Sequence, residues 1–326
     1  AGWISDRIGR LAPLCVGLVL YALAGTSGLW LDSLAALLVG RALLGVAVAL
    51  IATNVVALVG DHYHGAARQR FLGLQASFMA FSGVVFLLLG GLLAELGWRA
   101  PFAVFAASLL LLPAVLATLR APPPAEPRPE ASRPGDRPQG WTATLLGVCA
   151  LAFVGMASFY MIPVQVPFLL EQLGETSTAR TGFAIAFNNL VAAAVGLAFG
   201  RLRARAGPQV IHALHLLLVA AGFLALAHAR SFPAVCAALA LGGLGFGLLL
   251  PNLNTWLLAH APQAVRARAV GALATAIFLG QFASPLLVAP LGARFGLAGQ
   301  FQTVAWGLVG LAALLGGLAA RGRARA

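Results

Sequence analysis

The sequence predicts an all-α integral membrane protein, and three observations carry that prediction. Hydrophobic residues make up 60% of the 326 and charged residues only 9%, with a mean hydropathy of +0.92, whereas soluble domains carry about 25% charged residues. Ten apolar runs approach or exceed the roughly 20 residues that cross a bilayer. The arginines collect in every second connection between those runs, as the positive-inside rule requires of a multi-pass protein.

Taken in order, the chain opens on AGWISDRIGR, where Ser5, Asp6, Arg7 and Arg10 are too polar to enter hydrocarbon and must form a connection between spans. The apolar runs follow at 11–31, 34–59, 71–94, 100–119, 142–170, 181–199, 209–229, 233–259, 269–292 and 300–320. Residues 120–141 interrupt them with RAPPPAEPRPEASRPGDRPQGW, rich in proline and charge and without apolar period, which reads as a flexible linker. The chain thus divides into an N-terminal half, 1–119, and a C-terminal half, 142–326.

The formal charge of +12 is a matter of topology rather than of nucleic-acid binding. The connections at 1–10, 60–70, 120–140, 200–207 and 260–268, with the tail from 321, hold sixteen of the 21 arginines, and lysine is absent. That side is expected to be cytoplasmic and includes the linker and the C-terminus. Arg99, Arg180, Arg230 and Arg294 lie on the opposite side, and Arg41 lies well inside a span. Cys15, Cys149 and Cys236 stand far apart in apolar runs, with no CxxC or Cys/His pattern, so neither a metal site nor a disulfide is expected.

An internal repeat connects the halves. Gly2-x-Ile4-x-Asp6-Arg7-x-Gly9 recurs as Gly200-x-Leu202-x-Ala204-Arg205-x-Gly207, and Arg68-x-Arg70-x-x-Gly73 recurs as Arg266-x-Arg268-x-x-Gly271, both at an offset of 198 residues. The second copy has two spans ahead of its basic loop. By the same plan two spanning helices, about 57 residues, are expected ahead of residue 1. The ten runs are therefore numbered spans three to twelve of a twelve-helix plan.

Residues 2–10, GWISDRIGR, resemble the loop between helices two and three of the major facilitator superfamily, whose pattern is G-x-L-x-D-R-x-G-R. Arg41-x-x-x-Gly45-x-Ala47 is similar to that family's second motif in helix four, and Leu96-Gly97-Trp98-Arg99-x-x-Phe102 to its link between helices five and six. The family's antiporter signature, G-x-x-x-G-P-x-x-G-G, falls on Ser82 to Gly91, where Phe86-Leu87 replace Gly-Pro and Gly90-Gly91 remain. Its first half is similar to Gly280-x-x-x-Ser284-Pro285 in span eleven. The resemblance is strongest to bacterial drug and metabolite efflux members, and implies a fold of two six-helix halves.

Polar side chains inside hydrocarbon are the candidate site. Arg41 lies about 10 Å deep in span four at 1.5 Å per residue. Its charge costs about 2.5 to 3.5 kcal/mol there, so it must meet a carboxylate, water or carbonyls. It reads as a proton-relay or substrate-binding arginine, or as a tie between helices. The resemblance implies an acidic partner on helix one.

Asn188 and Asn189 lie about 11 Å into span eight and Gln281 about 18 Å into span eleven, either for substrate or for interhelical hydrogen bonds. Gln165 and Tyr160 in span seven complete the cavity candidates, with Phe159 as packing, gate or ligand platform. Pro163 and Pro167 are expected to kink or unwind span seven around Gln165, and Pro251 and Pro285 to kink spans ten and eleven. Asn252 and Asn254 are expected to pack or gate. His212 and His215 are expected to snorkel to the cytoplasmic interface.

In the opening loop the resemblance implies a conformational gate of Asp6, Arg7 and Arg10 between Gly2 and Gly9, with Asp6 holding the N-terminal end of span eleven near Arg268.

The resemblance and these positions together imply a secondary active transporter that exports small amphipathic molecules, drugs or metabolites, by alternating access. The proton gradient would serve as energy source and no cofactor is expected. The expected setting is the inner, cytoplasmic membrane, in the lipid bilayer and as a monomer. Proton-coupled uptake of a sugar or organic acid is the alternative, and a non-transporting sensor or scaffold the reading from another class. With no nucleotide loop, metal cluster or nucleophile–base arrangement, an enzyme is not expected.

Overall fold

The computed structural model describes residues 9–63, 65–118, 141–262 and 265–324, and no strand occurs among them. The elements are helices apolar on all sides, as a lipid solvent selects, because only a helix or closed barrel satisfies its own backbone in hydrocarbon. In chain order they are α1 (Leu11–Gly25), α2 (Leu34–His62), α3 (Gly65–Glu95), α4 (Leu111–Thr118), α5 (Trp141–Gln172), α6 (Thr178–Arg203), α7 (Pro208–His228), α8 (Phe232–His260) and α9 (Arg266–Ala324). A 3-10 turn, Thr26–Leu29, extends α1, and an eleven-residue 3-10 run, Ala100–Leu110, leads directly into α4.

Eight helical stretches among the described residues are long and apolar enough to cross a bilayer. The longest, α9, has 59 residues and is interrupted at Gly296, whose φ of 71° and ψ of 177° are not helical. A positive φ costs glycine least, so this is where the chain breaks between the two spans expected at 269–292 and 300–320. One basic connection is shorter than expected. Helix α2 reaches His62 and α3 starts at Gly65, so Arg68 and Arg70 lie in helical backbone, arginine being a good helix former. The linker at 120–141 lies outside the described residues except for Trp141, which opens α5.

Two compact units result, residues 1–82 with 89–130 and residues 83–88 with 131–326. In the first, α1 packs on α2 through Gly17, where a Cβ would stand 3.0 Å from Ile51 and 3.1 Å from Leu50. Ser108 ties the 3-10 run to α1 by donating to the Leu18 carbonyl at 3.2 Å.

In the second unit α8 is the central rod, and its face Gly242-Gly243-x-Gly245-x-Gly247 lets neighbours approach closely. A Cβ on Gly243 would stand 2.7 Å from the Asn188 carbonyl of α6, and one on Gly245 2.8 Å from the His215 carbonyl of α7. On α7, Gly222 meets the Gly242 backbone at 2.7 Å in the same sense. Small residues at such contacts supply the close van der Waals approach that drives helix association in lipid. Helices α5 and α9 meet where Gly280 lies under the Phe153 carbonyl and Ser284 donates to the Ala157 carbonyl at 2.7 Å.

The unwinding expected around Gln165 does not occur. Helix α5 continues through Pro163 and Pro167 to Gln172, α8 through Pro251, and α9 through Pro285 and Pro290. A proline removes one helical hydrogen bond, and in a packed span the turns on either side can hold the helix together.

Candidate functional site

In the N-terminal unit the site is built around Arg41 on α2. The 3-10 run brings Phe102 and Phe105 to α1, with the Phe105 ring filling the place of a Cβ on Gly25 and the Phe102 ring that of a Cβ on Gly28. The Arg41 guanidinium carbon lies 4.7 Å from the Phe102 ring centroid and 5.8 Å from that of Phe105, and Tyr21 adds its ring 5.3 Å from Phe105. Sequence reasoning expected a carboxylate, water or carbonyls around this charge. Its described seat is aromatic faces, whose quadrupoles attract a cation.

One turn before Phe102, Arg99 pairs with Asp32, donates to the Leu29 carbonyl at 3.1 Å and lies 4.7 Å over Trp98. The turn between α1 and α2 is thereby fastened to the turn after α3. In the opening loop Gly9 has φ +83°, a left-handed conformation that favours glycine, and Arg10 caps α1. Gly2, Asp6 and Arg7 lie outside the described residues, so the gate expected of them is not placed.

The C-terminal unit separates the other candidates. Tyr160 and Gln165 on α5, Asn189 on α6 and Gln281 on α9 are partly exposed. Phe159, beside Tyr160, packs edge-on against Phe246 of α8 with centroids 5.1 Å apart. Asn188 is fully buried, with its side chain 3.4 Å from the Asn189 Oδ1 and its own Oδ1 3.3 Å from where a Cβ on Gly243 would be. The Asn188 side chain thus bonds within α6, and its Oδ1 is buried without a protein partner. Asn252, also fully buried, donates to the Pro208 carbonyl at 3.0 Å and so joins α8 to α7. Asn254 is exposed and bonds to Leu250 of its own helix.

One expectation is overturned. His212 and His215 do not snorkel: they are 0% and 1% exposed, their ring centroids 5.1 Å apart between α7 and α8. The reason is register, since α7 begins at Pro208 and its face carrying Ile211, His212, His215 and Leu216 is the one that packs inward. Sequence reasoning also passed over Asn54 of α2, 0% exposed, and Gln300 of α9, 2% exposed, whose carbonyl lies where a Cβ on Gly292 would be. The three-residue spacing of the histidines was the available signal for the pair, while nothing local distinguished Asn54 or Gln300. Among the described residues no group of three or more His, Cys, Asp or Glu could hold a metal ion.

A model of the Major Facilitator Superfamily matches residues 1–285 and, again, residues 148–325. The chain belongs to the major facilitator superfamily. The second match begins within α5, at the head of the second copy of the repeat. Among curated relatives of this superfamily member, the probable vesicular acetylcholine transporter-B of Danio rerio is 32% identical over 124 residues, 37% of this chain and 25% of the relative. The vesicular acetylcholine transporter of Rattus norvegicus is 31% identical over 140 residues, 42% and 26% of the two chains. The matched stretch thus spans about a quarter of these relatives' length.

Solved structures agree on the fold. A bacterial homologue of the human lysosomal transporter Spinster, described as inward-facing and occupied, gives a TM-score of 0.81 at 18% identity over 97% of this chain and 83% of the other. A mutant of the peptide transporter POT gives 0.76 at 17% identity over 98% and 82%. The human organic anion transporter MFSD10 (TETRAN) gives 0.65 at 24% identity over 96% and 78%. This major facilitator chain is all-α, without strands among its described residues, and its fold is that of the superfamily.

Proposed function

We propose that this major facilitator protein is a secondary active transporter that exports small amphipathic molecules by alternating access, its two halves moving as bodies, in exchange for protons. The observation that carries the transport reading is the family match over both halves. The substrate class rests on the character of the partly exposed polar groups. Tyr160, Gln165, Asn189 and Gln281 offer one phenol and three amides without a fixed charge, and the chain after Glu175 contains no carboxylate side chain. Such groups offer hydrogen bonds and an aromatic face to a mostly apolar molecule. The acetylcholine named for the curated relatives is a small organic cation, which supports a small-molecule substrate.

In this reading Arg41 is the intramembrane charge of the proton relay, Asp6 and its loop set which side is open, and the chain works as a monomer in the inner, cytoplasmic membrane. Substrate flux in inside-out vesicles under an imposed proton gradient tests it. Lipophilic compounds accumulate if the reading is right. Proton-driven sugar movement in right-side-out vesicles, with no lipophilic compound accumulating in inside-out ones, reverses the direction and the substrate class.

A further inference from the structure

Helices α7 and α8 run antiparallel with Pro208 opposite Asn252 and His215 opposite Gly245. His212 falls in the turn between these two contacts, so the interface buries a polar strip inside an otherwise apolar core. In that strip His215 Nδ1 is 3.0 Å from the Gly245 carbonyl and donates to it, which leaves Nε2 as a bare acceptor. That Nε2, both ring nitrogens of His212 and the Asn252 Oδ1 are buried and have no protein partner. Four such atoms in one interface require something to bind, because buried polar atoms are nearly always satisfied.

The charge of the surroundings decides what. Helices α6 to α9 contain no aspartate, glutamate or lysine. Their other titratable or charged groups are Arg180, Arg201 and Arg203 on α6, His228 on α7, Cys236 and His260 on α8, and Arg266, Arg268, Arg294, Arg321 and Arg323 on α9. Arg203 is held by the Ala206 carbonyl, Arg266 by those of Leu258 and Ala261, Arg180 by Glu175, and Arg294 by the Phe295 ring. A divalent metal on two neutral imidazoles and an amide would keep its full charge in hydrocarbon with no counter-ion, at a cost of many kcal/mol. A single proton brings the least charge, and the two rings it could occupy stand 5.1 Å apart, centroid to centroid. His212 is one turn from the first residue of α7, about 6 Å at 1.5 Å per residue, so exchange with the arginine-rich side is short.

We propose that His212 and His215 form one proton-binding site in the C-terminal unit, and that its occupancy reaches α5 through Phe246 and Phe159. The rings are in sequence: His215 to Phe246 at 5.8 Å, Phe246 to Phe159 at 5.1 Å, Phe159 to Tyr160 at 6.2 Å. A charged imidazole against Phe246 changes the electrostatics of that contact, and Phe246 packs on the helix that carries Tyr160 and Gln165. The inference rests on the proton-coupled reading above and locates the proton on residues which that reading does not use. The step forms one N–H bond at an imidazole, taking the proton from water on one side and returning it to water.

The test uses full-length protein in liposomes, with radiolabelled tetraphenylphosphonium as probe and the membrane potential clamped by potassium and valinomycin. With the interior about one pH unit more acidic, exchange of one proton per cation supports about tenfold accumulation. His212→Gln and His215→Asn, the latter keeping a donor for the Gly245 carbonyl, are expected to abolish accumulation while gradient-free counterflow persists. A merely structural role would lower both. Accumulation by both variants equal to wild type overturns the site alone, and no accumulation by wild type overturns the coupling reading and the site with it. If neither variant inserts, 15N spectra of histidine-labelled wild type with and without saturating probe decide. One imidazolium signal gives way to neutral imidazole if the pair carries the proton, and an unchanged spectrum contradicts it.

Discussion

Arg41 rests on two phenyl faces, and magnitudes show what that seat can and cannot do. Cation–π contacts are worth about 0.5 to 2 kcal/mol, against about 2.5 to 3.5 kcal/mol for placing an arginine at the centre of a span. The rings therefore offset part of the cost, and the Arg41 side chain is otherwise exposed. Phe102→Leu, which keeps an apolar side chain but removes the quadrupole, should lower stability by about 1 kcal/mol or more, read as a shift in unfolding in mixed detergent micelles. Arg41→Ala should abolish flux with the protein still inserted, and unchanged flux would remove Arg41 from the relay. At this scale the sequence showed that a charge sits in hydrocarbon but not what it rests on. Phe102 lies 61 positions away in another element, and only the close approach at Gly25 and Gly28 brings the rings to it. The histidine pair was misread for a related reason: depth along a helix can be counted from the sequence, whereas the direction a side chain faces depends on which neighbour the helix finds.

At the scale of elements the packing is controlled by glycine. Gly222→Ala would force a Cβ to within 2.7 Å of the Gly242 nitrogen, where backbone rather than a movable side chain must yield. The expected cost is about 1 to 3 kcal/mol of stability. Gly310 on α9 has nothing within 4 Å of its would-be Cβ, so Gly310→Ala should be neutral or stabilising by up to about 1 kcal/mol through helix propensity alone. Equal effects of the two in the same micelle unfolding assay would contradict the close-packing account. The existence and order of the helices were legible in the apolar runs, because run length is all a bilayer needs. Their ends were not: α2 and α3 extend into the basic connection, and α5 stays helical around Gln165, where unwinding was one of the two outcomes expected. The break at Gly296 follows instead from the one residue in α9 with a left-handed backbone.

For the whole molecule, the 198-residue repeat and the loop pattern at 2–10 carried the family assignment from sequence, and the family match repeats over the second half. The repeat also isolates Asp6, which the second copy replaces with Ala204. Asp6→Ala should abolish transport in the full-length protein while leaving membrane insertion unchanged, and full flux in that variant would remove the gating role of the loop. The central claim is export driven by protons, and inside-out vesicles test it most directly. A lipophilic compound should accumulate when the lumen is made more acidic than the medium and should leak back when a protonophore collapses the gradient. Accumulation that is indifferent to the protonophore, or absent for every lipophilic compound while a sugar moves with protons in right-side-out vesicles, would contradict the account.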